Sequence, residues 1–145
     1  MNNTLLCVEG TLHFNEDVRT QYINIVMFKT GQQITINRSP IAAGRTLAED
    51  ISQQINNAEK ILNNFKLIEM EEINNGDTFT DSIKVIYTFS PGPGTANRLW
   101  QVSYACQISE DKIINFTSVY PDEVSMENEI NRLHHCVTNF KMNKI

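Results

Sequence analysis

The sequence predicts an α+β fold: a single antiparallel β-sheet with two helices, in the order three strands, a helix, four strands and a final helix. Three observations predict it. Several short runs alternate apolar and polar residues, the signature of strands with two unlike faces. One longer stretch repeats its apolar residues every three or four positions behind a capping box, which is a helix start. Gly- and Pro-containing turns separate the runs, and strands that are not regularly alternated with helices make an antiparallel layer rather than a parallel one.

Taken in order, Leu5–Phe14 reads as a first strand, weakened by Gly10. Tyr22–Phe28 and Gln33–Arg38 read as a hairpin around Thr30-Gly31. Pro40 and Gly44 end this run. Thr46-Leu47-Ala48-Glu49 is the capping box, and the helix behind it extends to about Asn64. Its apolar positions are Leu47, Ile51, Ile55, Ala58, Leu62 and Phe65. Lys66–Glu72 is a short strand, Asn74–Asp77 a turn, and Ser82–Ser90 an alternating strand. Pro91-Gly92-Pro93-Gly94 is a connection. Arg98–Ser109 and Lys112–Tyr120 form a second hairpin around Glu110-Asp111, and Ser125–Phe140 is the closing helix.

At 145 residues the chain is expected to be one domain, 1–145, that buries a core without disulfides or a structural metal. Seventeen acidic against twelve basic residues give a formal charge of -5. That balance argues against nucleic acid and against stable association with an anionic membrane, both of which need a basic surface. No apolar run approaches the ~20 residues of a spanning helix. The N-terminus also lacks the basic and apolar regions of a signal peptide. A soluble cytoplasmic protein is therefore expected, and the three widely spaced cysteines suit reduced thiols.

Catalytic and metal patterns are weak. His134 and His135 are adjacent on a helix, where neighbours diverge by about 100° and do not chelate. Cys106 lies on an apolar strand face and reads as an inert thiol. Ser90–Gly94 has glycines but no following Lys or helix to hold phosphate. Glu71 and Glu72 point to opposite faces of a strand. The expectation is a non-enzyme with no cofactor and no metal.

The informative feature is an excess of apolar surface. Along Tyr22–Phe28 one face carries Asn24, Val26 and Phe28, and the other Ile23, Ile25 and Met27. A three-residue loop pairs odd with odd positions, which puts Ile34 and Ile36 with Val26 and Phe28 on the core face. Thr35 and Asn37 then join Ile23, Ile25 and Met27 on the other. The strand from Arg98 divides alike: Trp100, Val102, Tyr104, Cys106 and Ile108 oppose Leu99, Gln101, Ser103, Ala105 and Gln107, a face without charge. On the helix, Gln54, Ala58 and Leu62 make a stripe beside the core stripe. An uncharged face of this kind suits a groove for another apolar element. The plainer alternative is that this face simply packs on a helix or on a second copy.

Tyr22-Ile23-Asn24-Ile25, Ile34-Thr35-Ile36-Asn37-Arg38, Asn57-Ala58-Glu59-Lys60, Phe65-Lys66-Leu67 and Leu99-Trp100-Gln101-Val102 resemble, in the same order, the Eag chaperones of bacterial type VI secretion. These belong to the DcrB-related group with a Mog1/PsbP-like fold. The resemblance implies a cytoplasmic homodimer. It implies partners too: the N-terminal transmembrane helices of effectors with a PAAR domain, often with Rhs repeats, shielded until loading onto the VgrG spike. It carries the client groove to Ile23, Ile25, Gln54, Ala58, Leu62 and Gln101, with Thr35 and Asn37 on the same face; Asn37 stands where the family commonly has Ser. Isoleucine and leucine would replace lipid, Ala58 would admit a close helix, and the amides would bond polar groups of the client. Two rival readings remain: a Mog1-like adaptor for a soluble partner, and a carrier of a small apolar ligand.

Overall fold

The structure, a computed structural model, describes residues 2–73, 78–94 and 97–143; the turn expected at Asn74–Asp77 lies outside them. The described elements are β1 (Asn2–Leu6), β2 (Thr11–Val18), β3 (Asn24–Met27), β4 (Gln33–Pro40), α1 (Leu47–Ile61), β5 (Asn63–Glu72), β6 (Asp81–Ser90), β7 (Leu99–Ser109), β8 (Lys112–Tyr120) and α2 (Glu123–Thr138). The predicted α+β class holds. Six strands form one antiparallel sheet in the order β3-β4-β8-β7-β6-β5.

One expectation is corrected. The segment Leu5–Phe14 is not one strand. It reverses between Cys7 and Gly10, where the Cys7 amide donates to the Gly10 carbonyl at 2.7 Å. The resulting hairpin β1–β2 is a separate two-stranded sheet, so the expected single sheet becomes two. Val8-Glu9 at its tip lacks the Asn-Gly or Asp-Gly chemistry that marks a tight turn in a sequence. The helices divide between the two sides of the larger sheet: α1 and α2 cover opposite faces, each over its own cluster of buried residues.

The α2 face is the larger core. Ile34, Ile86, Val102, Tyr104, Cys106, Ile114, Phe116 and Tyr120 rise from the strands to meet Met126, Leu133 and Val137 of the helix. Leu133, Val137, Val102 and Cys106 are fully buried. On the other face Leu47 and Ile51 of α1 close over Ile41, Ile83, Val85, Ala105 and Ile113.

Local signals explain both helices. Thr46 and Glu49 form the full capping box: the Glu49 amide donates to Thr46 Oγ1 at 3.1 Å and the Thr46 amide to Glu49 Oε1 at 3.0 Å. α1 ends earlier than expected, at Ile61, because the chain turns directly into β5. Asn64 there takes φ 53°, a left-handed conformation that Asn tolerates. Arg98 holds that corner by donating to the Asn64 carbonyl at 2.8 Å. Asp122 caps α2, accepting from the Ser125 amide at 2.7 Å.

The register of β3 against β4 is as expected. Ile25 faces Thr35 and Val26 faces Ile34, so odd residues share one side and even residues the other. Val26, however, is 40% exposed. β3 is an edge strand of four residues, all of them exposed, and lies at the far end of the sheet from β5.

Candidate functional site

Alternation along the strands decides which side chains meet α1. On β4 the odd positions Asn37 and Ser39 point to its side; on β8 they are Asn115 and Thr117, and on β7 Gln101, Ser103 and Ala105. β6 adds Val85 and Tyr87. α1 buries Leu47 and Ile51 in the core and packs Ala48 and Ile55 against it, and between the helix and the sheet a half-open groove of about 430 Å³ remains. Ile51, Gln54, Ile55 and Ala58 form its helical wall.

The polar side chains of the floor carry no charge and are hydrogen-bonded among themselves; Arg38 also lines the groove, its guanidinium bonded to Asn24 Oδ1 at 2.6 Å. Asn115 Nδ2 donates to Asn37 Oδ1 at 3.0 Å and to Ser39 Oγ at 3.1 Å. Ser103 and Thr117 hydroxyls lie 3.0 Å apart, and Gln101 Nε2 reaches Ser103 Oγ at 3.4 Å. Gln54 is held at the rim by Asp50, accepting 2.8 Å from its Nε2. Side chains paired with one another can be covered by an apolar surface at little desolvation cost, because few donors lose a partner. Tyr87 also lines the groove; burial raises its phenol above the ordinary value, and it packs against Phe65 at 5.1 Å between ring centres.

The predicted site residues divide into three groups. Asn37, Gln54, Ala58 and Gln101 line the groove together. Ile23, Ile25 and Thr35 sit beside it rather than in it. Ile25 and Thr35 are register partners on its side of the sheet, and Ile23 immediately precedes β3. Ile23 and Ile25 are 53% and 62% exposed, so they form an apolar rim open to solvent. Leu62 stands apart as the C-cap of α1, half-buried, its amide bonded to the Ala58 carbonyl. Sequence reasoning missed Ser39, Asn115 and Thr117. The signal was present as the alternation Ile114-Asn115-Phe116-Thr117 in the last strand, whose uncharged polar face is the same pattern that singled out Gln101.

Other candidate chemistry is accounted for by packing. His134 Nδ1 meets the Tyr104 hydroxyl at 2.8 Å. The Cys106 thiol is pushed up to about 12 by burial, which leaves it protonated and unreactive. Glu71 faces Lys84 together with Glu69, at 3.4 and 2.9 Å. Burial opposes the Lys84 charge, but the two carboxylates outweigh it and raise its pKa. Among the described residues no group of three or more His, Cys, Asp or Glu could hold a metal ion. Among them, too, no helix is long and apolar enough to cross a membrane.

An antiparallel sheet with two helices is an α+β fold similar to that of the PsbP/Mog1-like proteins. The chain belongs to the DcrB family, whose family model matches residues 9–138. Among solved structures it is similar to PA94 of Pseudomonas aeruginosa, a protein of unknown function, at 17% identity. That match covers 98% of this chain and 97% of the other with a TM-score of 0.70. It is also similar to the cyanobacterial PsbP protein, CyanoP, of Synechocystis at 14% identity, covering 82% and 73% of the two chains with a TM-score of 0.57. No curated protein matches the sequence.

Proposed function

We propose that this DcrB-family chain is an Eag-type chaperone of type VI secretion. In this reading it binds the N-terminal transmembrane helices of a PAAR-domain effector, possible Rhs repeats included, and shields them until the effector is loaded onto the VgrG spike. The observation that carries the reading is the pairing of a self-bonded, uncharged groove floor with an exposed apolar rim at Ile23 and Ile25. A soluble partner would give an adaptor no reason to keep these isoleucines bare and charge away from the floor. A helix taken from lipid needs both features: apolar side chains to replace lipid, and amide or hydroxyl groups for its few polar residues.

Ala58 fits the same purpose. Its small side chain lies on the groove wall between Gln54 and the end of α1, where a larger one would hold a client helix away. The protein acts in the bacterial cytoplasm and as a homodimer in this reading. Exposed Leu6, Val8 and Leu12 on the β1–β2 hairpin supply apolar surface for a second copy.

Co-expression with an effector N-terminal fragment tests the proposal. The complex should co-purify and should survive about 1 M salt, where the Debye length is ~3 Å and surface ion pairs are screened. Loss of binding at that ionic strength would instead support an adaptor held by charges.

A further inference from the structure

On the α2 side of the sheet, opposite the groove, one arginine gathers the whole β3–β4 turn. Arg132 Nη1 donates to Thr30 Oγ1 at 2.8 Å and to Gln32 Oε1 at 2.7 Å. Its guanidinium lies over the Phe28 ring, 4.8 Å from the centroid. Gln32 is buried at 6% exposure and passes the connection inward, donating from Nε2 to the Tyr120 hydroxyl at 2.9 Å. Glu129, one turn earlier on α2, stands 3.9 Å from the same nitrogen of Arg132.

This arrangement is unusual for a surface turn. Turns normally close on their own backbone, and this one does: the Gly31 amide bonds the Phe28 carbonyl and the Phe28 amide the Gln32 carbonyl, both at 2.9 Å. The extra network therefore is not needed to form the turn. It ties the turn to a helix roughly 100 residues away in sequence, an ordering that costs loop entropy before it returns anything. What it holds is β3, an edge strand of four exposed residues. An edge strand so short and so exposed sits at the low-stability end of a fold; Arg38 Nη1 fastens its first residue through Asn24 Oδ1 at 2.6 Å, and Arg132 fastens the turn at its other end.

We infer that Arg132 is a positioning residue for the client rim: through Thr30, Gln32 and Phe28 it clamps the β3–β4 turn to α2, and so keeps Ile23 and Ile25 in place beside the groove. The inference rests on the proposed function for what the rim receives, but the clamp itself does not. Arg132 touches neither the groove nor its occupant. Its effect on binding is the cost of ordering β3 when the client arrives, which the clamp meets in advance.

The test uses the full chain with Arg132→Met, which keeps the stem and removes the donors, and Arg132→Lys, which restores one charge. The binding probe is a synthetic helix of about 20 Leu and Ala residues with Ser along one face. Arg132→Met should melt within a few degrees of the parent, since Leu133 and Val137 are untouched. Its β3 amides should exchange about tenfold faster while those of β6 do not change. Its probe affinity should fall about tenfold, with partial recovery in Arg132→Lys. Unchanged exchange in β3 overturns the clamp. Faster exchange with undiminished probe affinity overturns the link from clamp to rim. If the parent chain binds no apolar helix at all, the proposed function fails, and the exchange comparison alone still decides whether Arg132 holds β3.

Discussion

The two faces of the six-stranded sheet are made from alternate residues of the same strands, yet they are finished in different ways. On the α2 face β7 and β8 present Val102, Tyr104, Cys106, Ile114 and Phe116, and a helix seals them. On the α1 face the same strands present Gln101, Ser103, Asn115 and Thr117, and the helix leaves a groove above them. The difference shows that burial was not the limiting need on the second side. A face destined for solvent carries charges; the α2 face buries its hydroxyls and amides, as at Gln32 and Ser118, whereas the α1 face leaves those of Gln101, Ser103, Asn115 and Thr117 half-buried along the groove. A face that is polar but bears no charge on its floor suits the temporary cover that the proposed function assigns to it.

The largest effect should separate the faces outright. Leu133 is fully buried on the α2 side, and Leu133→Ala should cost about 2–5 kcal/mol in urea unfolding; Leu133→Asp should not fold. The paired change Ile23→Asp, Ile25→Asp places two charges on residues that are more than half exposed. It should leave a cooperative transition shifted by less than about 1 kcal/mol, while abolishing capture of an effector fragment. If circular dichroism shows the isoleucine pair unfolded, the rim is a structural surface and the contrast between the faces collapses.

A next smaller effect concerns volume. Ala58→Phe fills the groove from its helical wall without touching the α2 core. The variant should fold, and its affinity for a client helix should drop by about 1–3 kcal/mol if the groove is the seat. Binding at parental strength would move the client elsewhere on this face.

The floor gives a finer test. Asn115→Ala removes the donor shared by Asn37 and Ser39, and it should cost about 1 kcal/mol of stability because both acceptors are only partly buried. Gln101→Ala should be nearly silent in stability, within about 0.5 kcal/mol, and visible only in client binding. Equal losses of stability from the two would mean that the floor is an ordinary buried network.

These contrasts also show what a sequence can and cannot carry. The strand faces were legible because period-two alternation is local: Ile23 and Ile25 opposite Val26, and Gln101 opposite Val102, need no knowledge of neighbours. The capping box at Thr46 and Glu49 was legible for the same reason. The site as an assembly was not. Whether Asn37 meets Asn115 depends on β4 lying beside β8, a pairing between residues 78 apart that no local signal records. The side chosen by each helix was equally hidden, since both are amphipathic and either face would accept an apolar stripe. The β1–β2 reversal escaped because its turn uses Val8 and Glu9 rather than turn-forming residues. The Arg132 clamp escaped because a lone arginine on a helix reads as a solvated charge.

The smallest expected effect is in acid, and it sets the two helices against each other. Hydrogen bonds from the capped backbone lower both Glu49 at the start of α1 and Asp122 at the start of α2 below the ordinary carboxylate range. In each case the folded state holds its proton less tightly than the unfolded chain. The stability each cap contributes is therefore complete above the unfolded carboxylate value and is lost as the pH falls through the lower folded one. Both caps are exposed, so neither loss should unfold the protein. The local consequence should differ. α2 continues into Met126, Leu133 and Val137 under a full core, whereas α1 has Leu47 and Ile51 buried and then runs out along the open groove. Lowering the pH below the carboxylate range should speed amide exchange in the last turns of α1 more than anywhere in α2. An effector fragment seated in the groove should remove that difference, because it would supply α1 with the packing that α2 already has. Equal exchange in the two helices, with and without the fragment, would mean that α1 needs nothing over its outer face.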